Sequence, residues 1–129
     1  MVVDASALTA YLENEVGAEV VTNAFLESRL MLSVVNFVEV VGKLVSRGAT
    51  THDEVVADIK GLNLDVVEMD LDQGLIASYF YARRKPYGLS LGDCACLALA
   101  EARGVKVLTG ERAWAKLPGL RVAVQLIRE

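Results

Sequence analysis

Short apolar runs alternate with helical stretches along this chain, and that order leaves few folds open. Val2-Val3 predicts a buried strand, and Asp4-Ala5-Ser6 a turn into a helix from Ala7 to about Asn14. Gly17 separates a second helix that runs to about Glu27, and Arg29 to Ser33 fits a strand, with a helix at Leu30-Met31-Leu32 as the alternative. A helix from about Val34 to Ser46 stops at Arg47-Gly48, where glycine is the usual C-terminal punctuation. Thr51-His52-Asp53-Glu54 has capping-box spacing and opens a helix through about Leu62, which places His52, the one histidine, in a solvated first turn. Leu64 to Glu68 reads as a strand, Asp70 to about Arg84 as a helix, and Ser90 to Arg103 as the most apolar helix, ended by Gly104. Val105 to Leu108 is then a strand, Arg112 to Lys116 a short helix, and Val122 to Leu126 the last strand. Strands alternating with helices imply an α/β fold, a mostly parallel sheet covered on both faces. Ligands of such open sheets bind beyond the carboxyl ends of the strands.

At 129 residues and 53% hydrophobic content, the chain has the length and core of a single domain spanning 1–129. No apolar run approaches the ~20 residues of a membrane span, and the N-terminus lacks a signal-peptide pattern, so a soluble, cytoplasmic protein is expected. Cys94 and Cys96 are two apart on a predicted helix, which turns them to roughly opposite sides and makes them core thiols. A net charge of -4 argues against nucleic-acid binding by bulk electrostatics. It leaves a nuclease open, because bound divalent cations reverse the local sign of an acidic site.

Four acids stand where a carboxylate is awkward or where such a fold places a ligand: Asp4, Glu39, Asp93 and Glu111. Each has a local explanation. Asp4 can cap the first helix. Asp93 sits at cap-to-N3 spacing from Ser90. Glu39 can pair with Lys43 one turn along its helix. Glu111 can simply begin the helix of Trp114. Taken together, carboxylates without accompanying His or Cys suit hard cations such as Mg²⁺ or Mn²⁺ and argue against zinc.

The segments around these acids resemble the PIN-domain family, specifically the VapC toxins of type II toxin-antitoxin systems. The resemblance is carried by Val3-Asp4-Ala5-Ser6, Asn36-Phe37-Val38-Glu39-Val40, Gly88-Leu89-Ser90-Leu91-Gly92-Asp93 with its Ala/Leu helix, and Val107-Leu108-Thr109-Gly110-Glu111. It implies a PIN-like three-layer α/β/α sandwich. It also implies that Asp4, Glu39 and Asp93 are the principal metal-binding acids, that Glu111 is the auxiliary fourth, and that Ser6, Asn36, Ser90 and Thr109 support them. Two positions depart from the family's pattern: Glu111 replaces the usual Asp and is one methylene longer, and Cys94 stands where many relatives carry Arg.

The implied activity is a Mg²⁺- or Mn²⁺-dependent endoribonuclease, with RNA as substrate, a VapB-like antitoxin as cognate partner and a homodimer as the common assembly. Arg83, Arg84 and Lys85 are candidates to hold RNA phosphates near Asp93, against the plain alternative of a cationic helix C-terminus. Phe25, Phe37, Tyr79, Phe80 and Tyr81 exceed the evident needs of one small core and offer contact residues for a partner, although burial inside the monomer is the expected fate of most. The competing reading is a PIN-like interaction module with weakened catalysis. A phosphoacceptor or phosphatase domain ranks lower, because Asp4-Ala5-Ser6 offers one carboxylate where such domains usually place two. No Gly-x-Gly-x-x-Gly follows a strand, which argues against a dinucleotide site.

Overall fold

The computed structural model describes residues 1–129 and contains one five-stranded sheet in the order β3-β2-β1-β4-β5, every pair of which is parallel. The strands are β1 (Val2–Val3), β2 (Leu30–Ser33), β3 (Leu64–Val67), β4 (Val107–Thr109) and β5 (Val124–Leu126). Between them run α1 (Ala5–Leu12), α2 (Ala18–Glu27), α3 (Val34–Ser46), α4 (His52–Lys60), α5 (Leu71–Ala82) and α6 (Leu91–Arg103). None of these helices is long and apolar enough to cross a membrane.

Strand alternation splits the core into two layers, because successive side chains point to opposite faces. Val3, Leu30, Leu32, Leu64 and Leu108 face one cluster, packed with Leu8 of α1, Val21 of α2, Val41 of α3 and Ile59 of α4. Val2 and Val107 face the other, with Phe80 of α5, Leu97 and Leu99 of α6, and Trp114. The three-layer α/β/α sandwich is therefore present, and its sheet is parallel throughout. Both cysteines are fully buried thiols, as the helical spacing predicts. Burial pushes Cys94 up to about 11 and Cys96 well above its ordinary value, which leaves both as inert thiols at neutral pH.

The main differences from expectation lie at element ends. Helix α1 starts two residues early because Asp4 caps it. The strand expected at Val105 to Leu108 shifts to Val107–Thr109, since the Val105 N–H donates to Ala100 O at 3.1 Å and is spent closing α6 after Gly104. Arg112 to Lys116 forms a 3₁₀ rather than an α-helical turn, and a further 3₁₀ turn at Lys85–Tyr87 follows α5. The Thr51–Glu54 capping box is half made: Thr51 Oγ1 accepts the Glu54 N–H, while the Glu54 carboxylate accepts the Thr50 hydroxyl.

The connection from β1 leads outward to β2 and β3, whereas β4 returns to the other side of β1. The order in which strands join the sheet thus reverses between β1 and β4. In doubly wound sheets the crevice at the carboxyl ends of such a strand pair is where ligands bind.

Candidate active site

Asp4 directly follows β1 and lies at that reversal. Its extended backbone makes it the N-cap of α1, and its Oδ1 accepts the Ala7 N–H at 2.8 Å. The Ser6 hydroxyl donates to it at 2.8 Å, and the Thr109 hydroxyl, from the end of β4, donates to Oδ2 at 2.7 Å. Ser6 Oγ in turn accepts the Gly110 N–H, and Thr109 Oγ1 the Glu111 N–H, both at 2.9 Å. These bonds tie the ends of β1 and β4 around one carboxylate. Asp4 is 2% exposed, and burial raises its pKa from 3.8 to about 6 despite the bonds from Thr109, Ala7 and Ser6 that favour its charge. The nearby Asp93 carboxylate adds to the rise.

Asp93 occupies the first turn of α6 in a complete capping box: the Ser90 N–H donates to its Oδ2 at 2.9 Å, and its own N–H donates to Ser90 Oγ at 3.1 Å. Burial raises its pKa as well, against the opposing effect of these Ser90 bonds. Glu39, on α3, reaches across to α6. Buried Asn36 donates one N–H to Glu39 Oε1 at 2.9 Å and the other to Gly92 O at 3.0 Å, so one amide couples both helices. The Glu39 carboxylate rests against Gly92, in space that a Cβ would fill. Glu111, at the start of the 3₁₀ turn after β4, makes no side-chain capping bond.

The structure brings Asp4, Glu39, Asp93 and Glu111 together as the lining of one cleft of about 170 Å³, with Ala5, Ser6, Thr9, Val40 and Lys43. Ser6 and Thr109 bond Asp4, Asn36 bonds Glu39 and Gly92, and Ser90 bonds Asp93. The acids share the cleft without closing into a cage: no three acidic, His or Cys side chains meet in a ready cation site. Three of them are instead turned toward protein donors, through the bonds described above. The chemistry of the set still fits a hard divalent cation. It offers only oxygen donors, its most buried carboxylate, Asp4, is in no ion pair, and Asn36 Oδ1 is a buried oxygen without a donor. Asp4, Glu39, Asp93 and Glu111 are the carboxylates of the cleft from which such an ion would be held.

Arg83, Arg84 and Lys85 are not part of this lining. They border a separate concavity of about 550 Å³ with Pro86, Tyr87 and Pro118. Arg83 lies 3.8 Å over the Tyr79 ring and Arg84 4.0 Å over Tyr81, and both guanidiniums donate to main-chain carbonyls of the last turns of α5. Two cleft features escaped sequence reasoning. Gly92 read as part of a motif rather than as the seat of Glu39, because the contact spans two helices. Lys43 read as the ion-pair partner of Glu39, yet no such pair forms.

The chain is similar in structure to a toxin-antitoxin complex from Klebsiella pneumoniae, with TM-score 0.74 and 18% identity, over 99% of this chain and 98% of that one. It is also similar to DNA-bound VapBC from Salmonella typhimurium, with TM-score 0.68 and 17% identity, over 95% and 96% of the two chains. Identities this low carry the fold alone. No curated protein matches the chain in sequence. The model of the PIN domain matches residues 1–120, which takes in all four acids. The chain belongs to the PIN domain family.

Proposed function

We propose that this protein is a Mg²⁺- or Mn²⁺-dependent endoribonuclease, the toxin of a VapBC-type toxin-antitoxin pair. The observation that carries this reading is the meeting of Asp4, Glu39, Asp93 and Glu111 in one cleft at the ends of β1 and β4. A bound divalent ion supplies an activated water and charge stabilisation at the phosphodiester. Asp4, Glu39 and Asp93 hold it, and Glu111, the longer acid at the rim, acts as auxiliary. Ser6 and Thr109 fix the Asp4 carboxylate in place, Ser90 fixes Asp93, and Asn36 fixes Glu39. Arg83, Arg84 and Lys85 offer a flanking contact to RNA phosphates beyond the cleft.

Purified protein free of its partner cleaves RNA when Mg²⁺ or Mn²⁺ is added, and Asp93→Asn lowers the rate on the order of 10³-fold, since a metal contributes several kcal/mol at the transition state. Equal cleavage by wild type and Asp93→Asn would remove the catalytic reading. The turning of the carboxylates to protein donors and the Asp-to-Glu exchange at Glu111 favour the second reading, an interaction module with weakened catalysis. Calorimetry decides between them, because a catalytic cleft binds Mn²⁺ and a decayed one does not.

The pH dependence of that binding follows from Asp4. A cation competes with its proton, so Mn²⁺ affinity is level above about pH 6 and falls by about tenfold per pH unit below it. Calorimetric titrations of wild type between pH 5 and 8 show the break, and an affinity level across that range would show that the Asp4 proton does not compete with the ion.

The cognate partner is an antitoxin that obstructs the acidic cleft, and co-purification with the product of the adjacent reading frame tests that pairing. The homodimer is proposed to use α5, where Leu71, Leu75 and Tyr79 form an exposed stripe at helical spacing. Of the aromatic contact candidates, Phe80 is buried in the core layer on one face of the sheet, and Phe25 and Phe37 pack against the layer on the other. Tyr79 and Tyr81 remain exposed.

A further inference from the structure

We propose that Lys43 is the substrate-positioning residue of the acidic cleft, the group that receives an RNA phosphate beside the metal-binding acids. This rests on the ribonuclease reading above. A cleft lined by four carboxylates repels a polyanion, and a cation held by those carboxylates is largely spent on balancing them. A phosphate entering beside it needs a further positive partner. Lys43 is the one cation among the nine residues that line the cleft.

Its position makes it available. Helical spacing would set Lys43 against Glu39, four residues earlier, as an ion pair. The ion pairs of this chain are Arg29–Asp65, Arg47–Glu13 and His52–Asp53, so Lys43 has no carboxylate within pairing distance. The reason is visible at Glu39, which is drawn the other way, to Asn36 Nδ2 and onto Gly92. Lys43 itself is exposed, so its ammonium is a hydrated point charge on a flexible stem, free to meet a phosphate at the rim. Arg83 and Arg84 cannot take this part, since both are stacked on tyrosines at the other concavity.

A substrate-positioning cation has a signature that a structural lysine lacks: its loss moves RNA and metal in opposite directions. In Lys43→Gln, kcat/KM for RNA falls on the order of tenfold, mostly through KM, as for loss of a bond to a charged group. The slope of log kcat/KM against log salt becomes shallower by about 0.7, the value for one phosphate contact on a single strand. Mn²⁺ affinity measured calorimetrically without RNA stays level or rises, because a repelling cation has left the cleft. Lys43→Arg retains most of the wild-type KM. An unchanged KM and salt slope in Lys43→Gln, with wild type active, overturns the assignment while leaving the ribonuclease intact. Parallel loss of RNA and Mn²⁺ affinity also overturns it, by showing that Lys43 only supports the acids. A wild-type protein that cleaves no RNA overturns both.

Discussion

Asp4→Asn raises the melting temperature of the metal-free protein at pH 7 and abolishes its response to Mn²⁺. In the folded chain the Asp4 carboxyl holds its proton up to about pH 6, against 3.8 for an ordinary aspartate. This is the reverse of the usual carboxylate case. Between those two values the folded state binds more protons than the unfolded chain, so the contribution of Asp4 to stability is fully present below about pH 3.8 and is lost as pH rises through about 6. A shift of that size corresponds to a penalty of about 3 kcal/mol at neutral pH, as an upper figure. Asparagine removes the charge and keeps the shape. Its Oδ1 still accepts the Ala7 N–H, and the Thr109 and Ser6 hydroxyls can rotate from donating to accepting. The expected gain is about 1–2 kcal/mol, or roughly 3–8 °C, and it shrinks as pH is lowered toward 4. Wild type, by contrast, is stabilised by saturating Mn²⁺ at pH 7, because a ligand that binds the folded state alone shifts the unfolding equilibrium. Calorimetric scans of both proteins, with and without Mn²⁺, separate these effects. A lower melting temperature for Asp4→Asn at pH 7 would show that hydrogen bonding to the anion outweighs its desolvation. In either case RNA cleavage falls on the order of 10³-fold.

The sequence disclosed the frame of this site more fully than its contacts. Apolar runs and glycine stops place α2 and α3 at their observed bounds, and cap chemistry foretells the roles of Asp4 and Ser90. These signals are local, so a single chain reports them. Thr109 and Asp4 are 105 residues apart, and their bond exists only because β4 returns to pair with β1. The same limit explains Glu39: its sequence neighbourhood offers Lys43 as a partner, and only the arrival of α6 offers Gly92 and the divided amide of Asn36. Tertiary contact overrides the i,i+4 preference here because that preference contributes only about 0.3–0.5 kcal/mol on an exposed helix face. The 3₁₀ turn at Lys85–Tyr87 is a different failure. Pro86 signals a break, and nothing local says that the break is a helical turn, or that the cations beside it border a separate concavity.

Gly92→Ala separates folding from function in the opposite way to a core mutation. The residue is helical, in the first turn of α6, where alanine is intrinsically favoured over glycine by about 1 kcal/mol. Propensity alone therefore predicts a stability that is level or slightly higher. The added methyl, however, occupies the space of the Glu39 carboxylate. That carboxylate ends a flexible, exposed side chain, so the least costly relief is rotation of Glu39 away from α6, with loss of its bond from Asn36. Backbone and core stay where they are while one acid of the proposed metal site leaves its place. A displacement of about 1 Å in such a group can cost on the order of 10²-fold in rate, and that is the expected fall in RNA cleavage. The melting temperature of the metal-free protein changes by no more than a few degrees. Glu39→Gln supplies the control: if Gly92 acts only through Glu39, then Gly92→Ala added to Glu39→Gln lowers activity no further. Additive losses would instead assign Gly92 a second role, in the approach of RNA to the start of α6, and full activity in Gly92→Ala would mean that Glu39 works from more than one position.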